Sequence, residues 1–512
     1  MIKSFLFDDN FFIKTYGVIF ALGLLYPLAF PPINCFVIIF IVWIGATYIF
    51  RLANNFLQTI FMCLSLSLGV TFSGFYWIFY SSQYILSGWF LPFLVLLGFS
   101  VLYAIFFLPW AFLIFISNKH SKLIFVLATL IGLATTEVLK EYLFGGFPWL
   151  IAGQIWDFSL EILQIASIIG AFGLSILTIL LFILFISIFI FKISLLPRIL
   201  LLSIYCIGIS SLWCYGYYRL NYANLLSNPK TISLSLVETS VLQNDKNDYN
   251  KTEEIFLNTL NQAFSNINLQ QYPDYIILPE VAFNFFFDDN STRWQTLVNQ
   301  IPSKSKLIMG ALRTDNMNVY NTAYMISGKT KQIVSYYDKI KLVPFGEYIP
   351  FANYLPFIQT FVNLSNLKAG DNQTIFIGNQ DKFAIIICFE AIFSNAMLSY
   401  KNIDWLLNIT NEGWFNNSIE LDQMNSLLRM RSIEGGVTTV KVANLGKSVI
   451  INPLGNYEYL SNGYSSKYNL QIVDIQRVAT YYSFTYKNML VIITIMLYVI
   501  MVVMLTWFCK RK

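Results

Sequence analysis

The apolar run Lys-Phe-Ala-Ile-Ile-Ile (382–387) stops at a thiol, Cys388, and a carboxylate, Glu390, follows two residues on. Three consecutive isoleucines suit a strand covered on both faces, because branched side chains fit a pleated, buried surface. Cys388 then stands at a strand end, where open sheets present their chemistry. Between residues 221 and 484 there is no second cysteine and no histidine, so a nucleophilic Cys388 needs a base other than imidazole. Two other strand ends offer partners. Leu-Pro-Glu (278–280) places the carboxylate of Glu280 just past a buried strand. Tyr-Asp-Lys-Ile-Lys-Leu-Val-Pro-Phe-Gly-Glu (337–347) places Lys339 and Glu347 on a loop with a Pro-Phe-Gly turn. Each alone is weak, since a carboxylate after a strand is usually a solvated cap and a lysine on a loop is usually a surface charge. Their order and type together are the signal.

The elements that must position these groups are short strands interleaved with helices. Alternation and branching predict strands over 231–238, 274–279, 306–312, 323–327, 332–336 and 404–410, with a further pair joined near residues 444–446. Helical spacing predicts helices over 251–264, 391–400 and 420–434. That pattern implies a layered α/β domain with helices covering sheets.

The rest of the chain is of another kind. Of 512 residues 12% are charged and 56% apolar, about half the usual charge, and the deficit lies outside 221–482. Apolar runs long enough for a hydrocarbon core of about 30 Å fall at 12–30, 35–50, 56–80, 86–117, 123–144, 162–191, 199–218 and 489–508. The fourth is long enough to be re-entrant or kinked at Pro109. The division expected is a seven-span region over 1–220, a catalytic domain over 221–484 and a C-terminal span with a basic tail over 485–512. Phe-Pro-Pro-Ile-Asn after the first run, in place of a small-residue cleavage site, argues against a cleaved signal peptide.

Lys3, Lys14, Arg51, Lys119, Lys122, Lys192, Arg198, Lys510, Arg511 and Lys512 fall on one side of an eight-span arrangement, and the loops 31–34, 81–84 and 145–161 carry no lysine or arginine. With basic loops cytoplasmic, both termini lie inside and the domain outside. Phe-Gly-Gly-Phe-Pro-Trp (144–149), just after Glu137, Lys140 and Glu141, reads either as interfacial anchoring with a tight turn or as part of a lipid-entry surface. The five other cysteines sit in or beside apolar runs, so no disulfide framework is legible, and no basic stripe with interleaved aromatics suggests nucleic acid.

Glu280, Lys339 and Cys388, in that order on strand ends of an α/β domain, resemble the carbon–nitrogen hydrolase (nitrilase) superfamily. Leu-Val-Pro-Phe-Gly-Glu-Tyr-Ile-Pro (342–350), Gly-Phe-Pro-Trp (146–149), Thr-Asn-Glu-Gly-Trp-Phe (410–415) and the seven-plus-one spans resemble its membrane-embedded branch, the apolipoprotein N-acyltransferases of Gram-negative bacteria. The resemblance covers essentially the whole chain. It implies a polytopic bundle of about eight spans in the inner membrane, carrying a periplasmic nitrilase-like α-β-β-α sandwich. It also implies fatty acyl transfer from a phospholipid donor to the N-terminal amine of a diacylglyceryl-cysteine apolipoprotein. Three departures touch substrate positioning. Val-Glu-Thr-Ser (237–240) replaces Val-Gln-Gly-Asn, Lys-Asn-Asp-Tyr (246–249) lies where a tryptophan is expected, and Phe389 replaces a common tyrosine.

The chemistry is self-consistent. A cysteine with a pKa near 8.5 is mostly thiol at neutral pH and needs a base or a nearby cation. Glu280 is the expected base, Lys339 the expected partner of thiolate and oxyanion, and the Phe389 N–H a second oxyanion donor. Glu347 and Glu390 are expected to hold Lys339 and the nucleophile loop. Neither metal nor organic cofactor is expected, and the protein is expected to be a monomer. The apolar stretches 283–287 and 351–362 read either as a cover that excludes water or as interlayer packing. The alternative activity is hydrolysis of a small amide by a membrane-tethered nitrilase-type amidase. A non-catalytic transporter or scaffold is disfavoured by the presence of all three groups and by the near absence of charge pairs within the spans.

Overall fold

The computed structural model describes residues 9–86, 88–191, 194–223, 225–226, 229–265, 267, 272–283, 285–286, 291–316, 318–344, 346–348, 367–394, 400, 402–461 and 467–510. The chain forms two compact units, one of Met1–Phe79, Gly88–Tyr222 and Tyr481–Lys512, the other of Tyr80–Ser87 and Ala223–Thr480.

Apolar composition makes the first unit helical, since backbone polar groups in lipid must be satisfied within their own segment. Among the described residues six helices are long and apolar enough to cross a membrane: Phe56–Gly74, Phe90–Ser117, Lys122–Gly145, Ala166–Ile190, Leu195–Tyr222 and Thr485–Trp507. Two shorter apolar helices, Lys14–Ala29 and Val37–Phe50, precede them, so each of the eight apolar runs is helical. The architecture is that of a multi-pass membrane protein. Phe90–Ser117 runs unbroken with Pro109 inside it. The first helix and Phe56–Gly74 touch backbone to backbone, a Cβ on Gly23 coming within 2.9 Å of the Gly69 Cα. Small residues permit such close crossings.

The loop 144–150 turns inward. Trp149 is 1% exposed, and its ring packs against Phe147 and Trp77. Lys140, fully buried, donates to Glu137 Oε1 (2.7 Å) and to the Leu150 carbonyl (2.9 Å), while the Ala152 N–H donates to Glu137 Oε2 (3.1 Å). These two charges brace the loop, and Trp149 packs within it.

Among the described residues the second unit is built on two six-stranded sheets. One has the order β12-β1-β2-β3-β4-β5, with β1 Lys230–Glu238, β2 Tyr275–Ile277, β3 Lys306–Asp315, β4 Asn318–Ser327, β5 Ile333–Asp338 and β12 Lys467–Ile475. The other runs β11-β10-β9-β8-β7-β6, with β6 Ile375–Ile377, β7 Lys382–Ile387, β8 Trp405–Asn411, β9 Thr438–Asn444, β10 Val449–Ile451 and β11 Tyr457–Leu460. Each sheet has three parallel strands at its heart, β1-β2-β3 and β7-β8-β9, flanked by antiparallel neighbours. Buried on both faces, β8 and β9 expose no residue, as parallel central strands require.

Helices Thr252–Phe264 and Thr292–Gln300 cover the first sheet through Phe256, Leu260, Leu297 and Val298, and Phe283 lies fully buried in the same core. Glu420–Gly435 packs with the second sheet. Between the sheets, Tyr275 of β2 meets Phe383 of β7 and Trp405 of β8, and its hydroxyl donates to Asp381 (2.7 Å). The result is an α/β sandwich of two sheets. The expected stretch 283–287 is packing where described, Phe283 and Phe285 lying against Phe256. The other expected cover, 351–362, lies outside the described residues, as do residues 395–399 of the expected helix 391–400.

Candidate active site

The parallel strands all end at one pole, and the candidate groups come from those ends. β7 stops at Ile387, and Cys388 opens a 3-10 turn, Cys388–Ile392, with φ of +51°. A side chain in the left-handed region costs roughly 1–3 kcal/mol and persists only where its surroundings hold it. Two acceptor-rich contacts hold this one. Asn408 on β8 donates to the Cys388 carbonyl (3.3 Å), and Glu390 folds back to accept from the Ile387 N–H (2.7 Å). The other oxygen of Glu390 accepts from the Tyr337 hydroxyl (2.7 Å) and from the N–H groups of Ile340 (2.9 Å) and Lys341 (3.0 Å). One buried carboxylate therefore ties the cysteine turn to the loop that carries Lys339. Burial raises the Glu390 pKa, and these donors pull it back only partly. Phe389 is buried, edge-on to Phe393.

Glu280 follows β2, and β3 passes directly beneath it. A Cβ on Gly310 would lie 2.6 Å from the Glu280 Cα and 2.7 Å from the Val281 nitrogen, so only glycine fits there. Val281 itself has φ of +42°, strained for a β-branched residue. Glu280 is 5% exposed and accepts from Asn321 Nδ2 (2.8 Å), Lys339 Nζ (3.3 Å) and the Asn411 N–H at the end of β8 (2.9 Å). Lys339, 1% exposed, also donates to Glu347 Oε1 (2.9 Å), whose other oxygen accepts from the Val343 N–H (2.8 Å). Burial disfavours the Lys339 ammonium, but Glu280, Glu347 and Cys388 outweigh it and set its pKa well above the usual 10.5. Burial pushes the Cys388 thiol well up and Glu280 pushes it further, with Lys339 and the nearby Thr410 hydroxyl opposing. The thiol is thus held neutral beside the Lys339 ammonium.

Glu280, Lys339, Glu347, Cys388, Phe389 and Glu390 are thus gathered at one pole. Sequence reasoning passed over Asn321, and it met Asn411 and Lys246 only as members of longer stretches. Lys246 is buried and donates to the Val281 carbonyl (2.9 Å); burial lowers its pKa to about 8 against the opposing pull of Glu280. Asn411 belongs to the motif 410–415, and its side chain joins a chain through Gln243 and Asn444. Among the described residues no group of three or more His, Cys, Asp and Glu is placed to hold a metal ion.

Two facing sheets with a cysteine, a lysine and carboxylates at their common pole define a nitrilase-type domain, here joined to a bundle of apolar helices. Comparison agrees for each part. Residues 265–481 match the carbon-nitrogen hydrolase family model, and residues 22–184 match the model for the apolipoprotein N-acyltransferase N-terminal domain. Apolipoprotein N-acyltransferase of Rickettsia bellii (strain RML369-C) is 30% identical over 394 residues, 75% of this chain and 76% of that one. The enzyme of Rickettsia prowazekii (strain Madrid E) is 28% identical over 457 residues, 86% of this chain and 88% of the relative. Among solved structures, Nit3 of Saccharomyces cerevisiae, a member of branch 10 of the nitrilase superfamily, has a TM-score of 0.38 at 16% identity, covering 48% of this chain and 93% of that one. The chain belongs to the apolipoprotein N-acyltransferase family and is an acyltransferase.

Proposed function

We propose that the protein transfers a fatty acyl chain from a membrane phospholipid to the N-terminal amine of diacylglyceryl-cysteine apolipoproteins, through a thioester on Cys388. The observation that carries this reading is the convergence of Glu280, Lys339 and Cys388 at one pole, with the thiol held neutral beside a carboxylate. Glu280 takes the thiol proton as sulfur attacks the ester carbonyl, and Lys339 with the Phe389 N–H stabilises the oxyanion. Collapse breaks the ester C–O bond, and the Glu280 proton leaves with the lysophospholipid. The acceptor amine then attacks the thioester, gives a proton to Glu280, and the thiol is regenerated as the amide forms. Glu347 and Glu390 hold Lys339 and the cysteine turn. The catalytic unit lies on the periplasmic face of the inner membrane, a placement supported by the lysine and arginine asymmetry of the loops.

The acceptor separates this from amide hydrolysis. After loading with phospholipid, a diacylglyceryl peptide with a free N-terminal amine should discharge the enzyme and gain the acyl mass, and its N-acetylated counterpart should not. Equal discharge by both peptides, with release of free fatty acid, would make the protein a hydrolase.

A further inference from the structure

Asn321 stands mid-strand in β4, 3% exposed, opposite Leu312 of β3. A buried amide is costly unless its hydrogen bonds are made. Both Nδ2 protons are spent on carboxylates: Glu280 Oε1 at 2.8 Å and Glu347 Oε1 at 3.0 Å. Lys339 Nζ donates to the same two oxygens, at 3.3 and 2.9 Å. The four atoms close a ring in which two donors alternate with two acceptors. Asn321 also carries the lysine, since its carbonyl accepts the Lys339 N–H (2.8 Å). The amide orientation is dictated, because reversed it would set an oxygen against two carboxylate oxygens. Its Oδ1 is buried with no hydrogen-bond partner among the described residues, so the amide is placed for its donor end.

The ring answers an electrostatic problem. A hydrogen bond donated to a carboxylate favours its charged form, and Asn321 donates to both carboxylates that share Lys339. A protonated Glu280 accepts nothing from a thiol or an amine. We propose that Asn321 is a positioning residue for acyl transfer, which keeps Glu280 ionised and aimed by donating to Glu280 and Glu347 together. The inference rests on Glu280 acting as the base. The other groups that bear on Glu280 are the Asn411 N–H, the Lys246 ammonium and the Cys388 thiol.

The test uses the full chain in detergent, with Asn321→Leu (similar size, no donor), Asn321→Asp (same shape, a third acid) and Asn321→Gln (amide kept). Two rates are followed against pH: iodoacetamide alkylation of Cys388, read by peptide mass mapping, and acylation by mixed phosphatidylethanolamine–phosphatidylglycerol. For Asn321→Leu both rates should fall roughly 10²-fold at neutral pH, and their acidic midpoints should rise by about one unit or more. Asn321→Asp should move the same way, and Asn321→Gln should recover part of both. If the leucine variant fails to fold, the isosteric aspartate decides. A folded leucine or aspartate variant with the wild-type midpoint overturns the inference, whatever its rate. Alkylation needs no lipid, so a wild type that alkylates but never takes an acyl group would sink the acyl-transfer reading and leave the alkylation profiles to judge this one.

Discussion

Cys388 is a poor nucleophile unaided, because burial and Glu280 together hold it as a thiol. Its reactivity therefore depends on how Glu280 is held, and Lys246 is part of that hold through the Val281 carbonyl. Burial has lowered the Lys246 pKa from the usual 10.5 to about 8. Between those values the folded protein has shed a proton that the unfolded chain keeps, so this group adds stability as pH rises through that window. Thermal unfolding at pH 7.5 and 9.5 should show Lys246→Met lacking that increment relative to wild type; an identical pH response in both would contradict the assignment. At this scale Glu280, Lys339 and Cys388 are legible in the sequence only as a set, since each follows a strand end and no histidine competes for the role. Asn321 is invisible there. Inside Val-Tyr-Asn-Thr-Ala it reads as the polar side of an alternating strand, and its worth depends on two carboxylates 41 and 26 residues away.

The strands that carry the site are legible where they are buried on both faces, as in β7, β8 and β9, because branched apolar runs permit little else. The short β6 and β11, with alternate residues facing solvent, and β12, which closes the first sheet against β1, carry weaker local signals and owe their form to the strands they pair with. β4 begins at Asn318, five residues before the expected start, for the same reason: β3 extends to Asp315 and pairs along it throughout. Close packing of β3 under Glu280 gives a direct test. Gly310→Ala puts a methyl 2.6 Å from the Glu280 Cα, where backbone has nowhere to go. Overpacking of this sort costs about 1–3 kcal/mol, and a shift of about 1 Å in a reacting group can cost about 10²-fold in rate. A lower Tm with strongly slowed acylation is expected, and wild-type acylation in this variant would show that β3 does not set the base. In the helical unit, Lys140→Met strands Glu137 without its cation and should cost about 3–5 kcal/mol. The double variant Glu137→Gln/Lys140→Met should regain much of that, and an unchanged Tm in the single variant would deny the brace.

Across the whole molecule, charge density is what divides the chain. Composition changes near residues 220 and 484, and the contact boundary falls at Tyr222/Ala223 and Thr480/Tyr481. Helix existence is plain from apolar length, whereas the break at Gly170 (φ +72°) depends on the Tyr482 ring occupying the space of a side chain, a contact 312 residues apart that no local pattern encodes. The side of the membrane is carried by loop lysines and arginines, so a reporter fused after Asn221 should report the periplasm and one fused after Lys512 the cytoplasm; a cytoplasmic signal from the first would reverse the orientation. The central claim, that one cysteine carries the acyl group between donor and acceptor, is tested most directly by intact mass. Wild-type protein incubated with phospholipid and no acceptor should gain one acyl mass, mapped to Cys388 and released by neutral hydroxylamine, while Cys388→Ala gains none. An acyl group on another residue, or full activity in Cys388→Ala, would contradict the account.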